Sequence, residues 1–156
     1  MTALQAGWRE THLGQLLTLA SLRFDARVLA LMAGDAELSL ALANLAARGK
    51  LGAAHVHLTR HLPEAGCSLT ELARRARVSK QAMGKLVDQC GRWDLVRRDA
   101  EPRDARAIRI VFTETGIQWL RAYQRAVTQA QAEFSAAVGS DVATVVHLGL
   151  EAYAAP

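Results

Sequence analysis

The segment from residue 69 to residue 116 constrains the fold most, because its apolar residues fit two short crossed helices followed by a change of period. Ala73 is small where the two helices would cross, and Met83 and Leu86 lie on the apolar side of the second helix. Ser79 precedes that helix, where its hydroxyl can accept a backbone N–H. The pattern predicts a helix-turn-helix with helices at about 69–75 and 79–91.

A period of two replaces the helical period after this motif. Residues 95–98 and 107–112 are short strand candidates, and the second is rich in β-branched side chains. We expect the polar segment 99–106 between them to be the loop of a hairpin. The predicted fold is mainly α with a small β-hairpin wing (α+β), that is, a winged helix-turn-helix with helical extensions at both ends.

The flanks of the motif are helical by the spacing of their apolar residues. Helices are predicted at about 11–32, 38–47, 52–62 and 113–138 and again after residue 140, with Thr113 as an N-cap. A helix-turn-helix presents its second helix to the major groove of DNA, and the apolar faces of the first and last helices need a second surface to cover them. We therefore expect a single domain over residues 1–156, with a DNA-binding lobe at 51–116 and a dimerisation region at 1–50 and 117–156. The alternative to dimerisation is a monomer in which the first and last helices fold back onto the helix-turn-helix of the same chain.

Basic charge is concentrated on the motif. Residues 74–109 contain eleven Lys or Arg and five Asp or Glu, whereas the whole chain has a net charge of only +4. Such a surface attracts phosphate, and its affinity falls with salt. This distribution favours a nucleic-acid partner.

Several other classes of protein are not favoured. No apolar run approaches the roughly 20 residues of a membrane helix, and the N-terminus lacks the pattern of a signal peptide, so we expect a cytoplasmic protein. No phosphate-binding glycine loop, nucleophile elbow or metalloprotease motif is present, so neither an enzyme nor a cofactor is expected. Two cysteines, Cys67 and Cys90, do not make a disulfide framework.

Three short segments resemble the MarR family of bacterial transcriptional regulators. Residues 101–107, EPRDARA, resemble the D-P-x-D-x-R-A signature of the family, and residues 112–116, FTETG, resemble its L-T-x-x-G. Residues 79–84, SKQAMG, resemble the start of its recognition helix. Two departures are Asp94, where the family usually has a glycine with positive φ, and Cys90-Gly91 in place of Leu-Glu.

The resemblance implies an obligate homodimer that binds double-stranded DNA. It further implies a repressor on a pseudo-palindromic operator, with one helix in the major groove and the wing in the minor groove. Many members of the family release DNA when a small aromatic or phenolic acid binds.

The candidate DNA-binding residues lie on the second motif helix and on the wing. Gln81 can pair with adenine, and Lys80 or Lys85 can donate to guanine or phosphate. Arg103 is a candidate for insertion into the minor groove. The predicted set is Ser79, Lys80, Gln81, Lys85, Arg98, Arg103 and Arg106, with Gln89 as a lesser candidate and Arg74, Arg75, Arg77, Arg97 and Arg109 as plausible phosphate contacts. For any one of these arginines, simple solvation is an equal alternative.

Asp104 is predicted to shape the wing through a salt bridge with Arg106, two residues away.

The sequence indicates an effector pocket less clearly, because the aromatic rings and polar donors that could line it are scattered along the chain. Its candidates are Trp8, His12, Arg23, His55, His57, Trp119 and Tyr123, each of which could instead be a packing or surface residue.

Two other functions remain open at the level of the sequence. One is a winged-helix module that binds proteins and has lost DNA binding. The other is a switch on the same scaffold, operated by the thiols of Cys67 and Cys90 or by a metal held between His57 and His61. A complete set of metal ligands is not apparent, so no metal site is predicted.

Overall fold

The computed structural model describes residues 7–47, 53–102 and 104–155. Its helices and strands follow in the order α1 (Trp8–Thr11), α2 (Leu13–Ala33), α3 (Leu40–Ala47), α4 (Ala53–His61), β1 (Cys67–Ser68), α5 (Leu69–Arg75), α6 (Lys80–Arg92), β2 (Val96–Glu101), β3 (Asp104–Phe112), α7 (Glu114–Val138) and α8 (Ser140–Ala154). The predicted mainly α fold with a small β wing is confirmed. Over the described residues, no helix combines the length and the apolar character needed to cross a membrane.

The three strands form one antiparallel sheet in the order β1-β3-β2. Val96 pairs with Phe112 at the base of the β2–β3 hairpin, and Glu101 pairs with Asp104 near its tip. The two-residue strand β1 pairs with the base of β3 through Cys67 and Ile110. Strand β1 was not predicted, because two residues are too few to show a period.

The prediction of a loop over residues 99–106 is wrong. Strand β2 continues to Glu101 and β3 begins at Asp104, so the two strands extend through most of the predicted loop. A register shift between Ala100 and Glu101 marks a bulge close to the tip. The segment looked like a loop because both of its faces are largely solvated, and a solvated strand needs no apolar alternation.

The chain divides into two compact units, and the division falls inside α2 and α7. One unit comprises residues 29–123, and the other comprises residues 1–28 with 124–156. In the second unit, Arg27 donates from Nε and Nη2 to the carboxylate of Glu133 at 2.6 and 2.8 Å. This ion pair ties α2 to α7 there. The functional boundaries predicted near residues 50 and 117 remain predictions.

The core of the unit at 29–123 joins helices, strands and the start of α7. Its largest fully buried side chains come from several helices and from the wing strands, and they include Met32, Leu58, Leu72, Met83, Leu95, Ile110 and Trp119. Because helix-turn-helix and wing share this core, neither can shift without disturbing the packing of the other.

Gly116 lies where the first turn of α7 passes over the start of the wing. A Cβ at this position would lie 2.0 Å from the carbonyl oxygen of Leu95 and 3.0 Å from the Phe112 ring. Since a backbone atom cannot move as a flexible side chain can, only glycine fits at this crossing. This explains why a glycine stands at the end of the segment FTETG.

We predict that Gly116→Ala destabilises the protein by about 1–3 kcal/mol, as expected for an added methyl group in a filled site. Urea denaturation monitored by circular dichroism would measure the free energy of unfolding. The matched control is Gly84→Ala in α6, whose new Cβ would meet nothing closer than Leu69 at 3.9 Å. This control should gain about 0.5–1 kcal/mol from the removal of a helical glycine. Equal effects of the two substitutions would contradict the crossing described here.

Candidate nucleic-acid interface

Helices α5 and α6 meet at a turn that two backbone hydrogen bonds close. Arg77 N donates to Arg74 O and Val78 N donates to Ala73 O, both at 3.1 Å. Arg77 itself has a φ of 55°, in the left-handed region. This is a Schellman motif, which usually places glycine at that residue. The sharp reversal brings α6 across α5, where Ala73 is buried as predicted.

Helix α6 has one buried face and one polar, solvated face. Met83, Val87 and Cys90 lie in the core, spaced three or four residues apart. The Ser79 hydroxyl accepts a hydrogen bond from Ala82 N at 3.1 Å, so the predicted N-cap is confirmed. The polar face is formed by four of the predicted DNA-binding residues, all exposed: Ser79, Lys80, Gln81 and Lys85.

A second Schellman motif ends α6 at Asp94. Asp94 N donates to Gly91 O and Leu95 N donates to Cys90 O, both at 3.0 Å. Asp94 has a φ of 57°, so the positive φ predicted for this departure from the family pattern is confirmed. The Asp94 side chain also accepts a hydrogen bond from the Thr115 hydroxyl at 3.0 Å, which attaches the first turn of α7.

Thr113 completes this attachment. Its N–H donates to Leu95 O at 3.1 Å, and its hydroxyl donates to Asp94 O. The same hydroxyl accepts a hydrogen bond from Gly116 N at 2.9 Å, which confirms the predicted N-cap of α7. The end of α6, the start of the wing and the start of α7 are therefore held together by local hydrogen bonds.

The wing carries the remaining predicted contacts. Arg106 is exposed on β3, whereas Arg103 lies outside the described residues. The predicted salt bridge between Asp104 and Arg106 is wrong in form, because Asp104 Oδ1 accepts a hydrogen bond from the backbone N–H of Arg106 at 3.0 Å. The contact stiffens the backbone beside the tip and leaves the Arg106 guanidinium group turned to solvent.

Acidic side chains hold several of the arginines that were predicted to contact phosphate. Glu71 binds both Arg74 and Arg75, which holds the pKa of its carboxyl at about 2. On β2, Arg97 donates to Asp99 through two bonds of 2.9 Å. The sequence did not single out Glu71, although its spacing of three and four residues from the two arginines is a helical ion-pair signal.

Arg98, a predicted DNA contact, joins the wing to the recognition helix. Its Nη1 lies 2.7 Å from Asp88 Oδ1 of α6, and both side chains are about half exposed. The pair borders an open groove between α6 and β2, with Val87, Gly91, Arg92 and Val96 among its lining residues. Arg98 therefore already has a partner within the chain.

Gln89 faces the body of the lobe. His55 Nε2 donates to Gln89 Oε1 at 2.8 Å, and the His55 ring packs edge-on against Trp93 with ring centroids 4.7 Å apart. His55 is buried, so this contact ties α4 to the second half of α6. These contacts favour packing roles for Gln89 and His55.

The predicted effector residues are divided between the two units. Trp8, His12 and Arg23 are exposed residues of the unit that contains the chain ends. In the unit at 29–123, the Tyr123 hydroxyl accepts a hydrogen bond from Arg60 Nε at 3.1 Å. Trp119 is fully buried, and its indole N–H has no partner among the described residues.

His57 and His61 lie one turn apart on α4, with ring centroids separated by 4.5 Å. His57 Nε2 donates to Ala76 O at 2.8 Å, so this nitrogen is used to hold the helix-turn-helix turn. Within the described ranges, no three His, Cys, Asp or Glu side chains gather as a metal site would require.

The two thiols have environments that oppose a thiolate switch. Burial raises the pKa of Cys90 to about 12, and partial burial also raises the pKa of Cys67. Both thiols therefore stay protonated near neutral pH, where oxidation requires the thiolate.

A protein-family model matches the part of the chain that contains the helix-turn-helix and the first strand of the wing. Residues 56–107 match the model of the MarR family, which confirms the resemblance found in the sequence. The match contains α5, α6, β2 and most of the described wing. The matched family and fold are those of regulators rather than of enzymes. No curated protein sequence matches the chain.

Solved structures share the fold along nearly the whole chain. The transcriptional repressor CouR bound to a 23-mer DNA duplex is 21% identical, with a TM-score of 0.70, over 99% of this chain and 100% of that chain. CouR from Rhodococcus jostii RHA1 bound to p-coumaroyl-CoA is 17% identical, with a TM-score of 0.67, over 94% of each chain. A mutant MarR from E. coli complexed with operator DNA is 14% identical, with a TM-score of 0.70, over 97% of this chain and 100% of that chain.

We predict a pH-dependent contribution of His61 to stability. Burial, the His57 imidazole and the guanidinium groups of Arg60, Arg75 and Arg77 hold the pKa of His61 below its ordinary value of 6.5. Between the lowered pKa and 6.5 the unfolded state binds more protons, so stability falls as the pH drops through this window. His61→Gln should flatten the fall, measured by urea denaturation at several pH values. An unchanged pH profile would refute this role.

Proposed function

Residues 56–107 match the MarR family model, and from that match we propose that the protein is a DNA-binding transcriptional regulator of this family. The observation that carries the proposal is the division of α6 into two faces. One face is fixed in the core, while Lys80, Gln81 and Lys85 project into solvent from the other. A rigid helix with exposed cations and a bidentate amide is suited to the major groove.

The proposed contacts divide into base reading and phosphate binding. Gln81 pairs with adenine, while Lys80 and Lys85 bind guanine or phosphate. The helix N-terminus at Ser79 adds backbone N–H groups near a phosphate. On the wing, Arg103 and Arg106 enter or flank the minor groove. Arg98 reaches phosphate only if DNA competes with its ion pair to Asp88.

We propose a homodimer built from the terminal helices. Helix α8 has no buried residue in the single chain, although it carries several exposed apolar side chains: Val142, Val145, Val146, Leu148, Leu150 and Tyr153. On α2, Leu13, Leu16, Leu19 and Leu22 are also exposed. Helices that are this apolar are stable when another surface covers them. A two-fold dimer would present two recognition helices to a pseudo-palindromic operator.

The finer role that we propose is repression relieved by an aromatic acid or its thioester. Support comes from the similar structures, since CouR is named a repressor and has been seen both with DNA and with p-coumaroyl-CoA. We further propose that the protein acts in the cytoplasm, as expected for a regulator of bacterial DNA. Of the predicted effector residues, Arg23 offers a cation for a carboxylate, and Trp8 and His12 offer adjacent rings 5.8 Å apart.

We expect sequence-selective, salt-dependent binding to the DNA upstream of the protein's own gene or of neighbouring genes. Gln81→Ala should weaken binding to the selected site by about 1–3 kcal/mol, as for the loss of one base contact. Fluorescence anisotropy at two salt concentrations, with excess nonspecific competitor, measures both effects. Adding aromatic acids and p-coumaroyl-CoA to the preformed complex tests release.

The control for Gln81→Ala is Gln118→Ala, which removes an exposed amide from α7 in the same unit. It should leave the affinity unchanged. Binding that the competitor abolishes at every tested fragment would contradict sequence selectivity. Absence of DNA binding even at low salt would instead support a protein-interaction module.

We predict that Val145→Glu dissociates the dimer. Val145 is 69% exposed in the single chain, and a carboxylate there would be desolvated at an apolar interface. Sedimentation velocity should show a lighter species with reduced operator affinity. Ala65→Glu makes the same change in net charge at an exposed residue of the turn before β1, outside the predicted dimerisation region, and should leave the mass unchanged. A wild-type protein that sediments as a monomer at micromolar concentration would refute the dimer.

A further inference from the structure

Glu71 on α5 binds two arginines of the same helix at once. Arg74 donates to its carboxylate from Nε at 2.8 Å and from Nη2 at 2.7 Å, and Arg75 Nε donates to the Glu71 Oε1 atom at 2.7 Å. Both arginines remain substantially exposed, with side-chain values of 72% and 45%. The three side chains form a charged cluster on the surface of the helix-turn-helix.

A carboxylate in this position presents the arginines with the same recognition pattern as a phosphate. Guanidinium groups bind both anions through paired N–H···O bonds. In a helix-turn-helix, the first helix crosses the DNA backbone, and α5 is that helix here. A phosphate that takes the Nε–Nη2 edge of Arg74 or the Nε of Arg75 must therefore displace Glu71.

We propose that Glu71 is a specificity-determining residue that competes with DNA phosphates for Arg74 and Arg75. This inference rests on the proposed DNA-binding function. The competition lowers affinity for any DNA, because a phosphate contact through these N–H groups costs an existing ion pair. Nonspecific DNA, which offers only phosphates, loses a larger share of its contacts than an operator whose bases are read by α6.

Glu71 carries the negative charge that competes with phosphate under all physiological conditions. The two guanidinium groups hold the pKa of Glu71 at about 2, so the carboxylate stays ionised near neutral pH. In contrast, the structure describes no acidic partner for Lys80 and Lys85 on α6. The two lysines of α6, which face the major groove in the proposed complex, are thus available to DNA. The two arginines of α5 are already bound to Glu71.

The geometry allows Glu71 to be neutralised without disturbing α5. The Ser68 hydroxyl accepts a hydrogen bond from Glu71 N at 3.2 Å and so caps the helix independently of the carboxylate. The segment Ser68 to Glu71 has the S-x-x-E pattern of a capping box, in which glutamine is equally suitable at the last position. Glu71→Gln therefore removes the charge and keeps the size and the cap.

The experiment measures binding of the full-length protein to a nonspecific duplex as a function of salt. Glu71→Gln should steepen the slope of log K against log salt by about 0.9 for each phosphate gained, or about 1.8 if both arginines engage. Affinity for the nonspecific duplex should rise more than affinity for the operator. Adding Arg74→Gln to Glu71→Gln should reverse part of the increase.

The matched control is Glu64→Gln, which makes the same change in net charge at an exposed residue of the same unit. The structure describes no basic partner for Glu64, so the salt slope should stay at the wild-type value. If Glu71→Gln behaves as Glu64→Gln does while the wild type binds DNA, the competition is refuted and the proposed function stands. If no variant binds duplex DNA at low salt, both are refuted.

Discussion

The hydrogen bonds around Asp94 and Leu95 are the constraint on which the arrangement of the unit at 29–123 depends. The backbone N–H groups of Asp94 and Leu95 bond to the last carbonyls of α6, and the carbonyls of the same two residues accept hydrogen bonds from Thr113 at the start of α7. The Asp94 carboxylate accepts a further bond from Thr115. A left-handed residue makes this possible, because it turns the chain sharply while satisfying the last carbonyls of the helix. Aspartate serves where glycine is usual, and its carboxylate supplies a hydrogen bond to Thr115 that glycine would lack. The relative placement of α6 and the wing is therefore fixed by local backbone contacts.

Much of this lobe could be predicted from sequence, because its determinants are close together along the chain. The predicted bounds 69–75 match α5, and Ser79, Thr113 and Asp94 have the capping or turn conformations expected from their chemistry. Such features depend on interactions within one turn of the backbone. The exposed face of α6 followed equally from periodicity, since burial of Met83 fixes which side chains face solvent.

Contacts between distant elements could not be predicted in the same way. Arg98 and Gln89 are polar residues that a sequence shows as free, yet Asp88 holds the first and His55 holds the second. Trp119 was a candidate for an effector pocket because it is aromatic, but its burial places it in the core. Charge and residue type indicate what a side chain can bind, whereas tertiary packing decides what it does bind.

The buried indole of Trp119 gives the chain an optical probe of its own core. An indole shielded from water, with no hydrogen bond to its N–H, emits at shorter wavelength than a hydrated one. Trp119 is fully buried, whereas Trp8 is 46% exposed near the start of the chain. Loosening of the core around α7 would therefore shift the emission to the red, even where the helical content is unchanged. In a variant whose other two tryptophans, Trp8 and the half-buried Trp93, are replaced by phenylalanine, intrinsic fluorescence thus distinguishes a repacking of this unit from simple helix fraying.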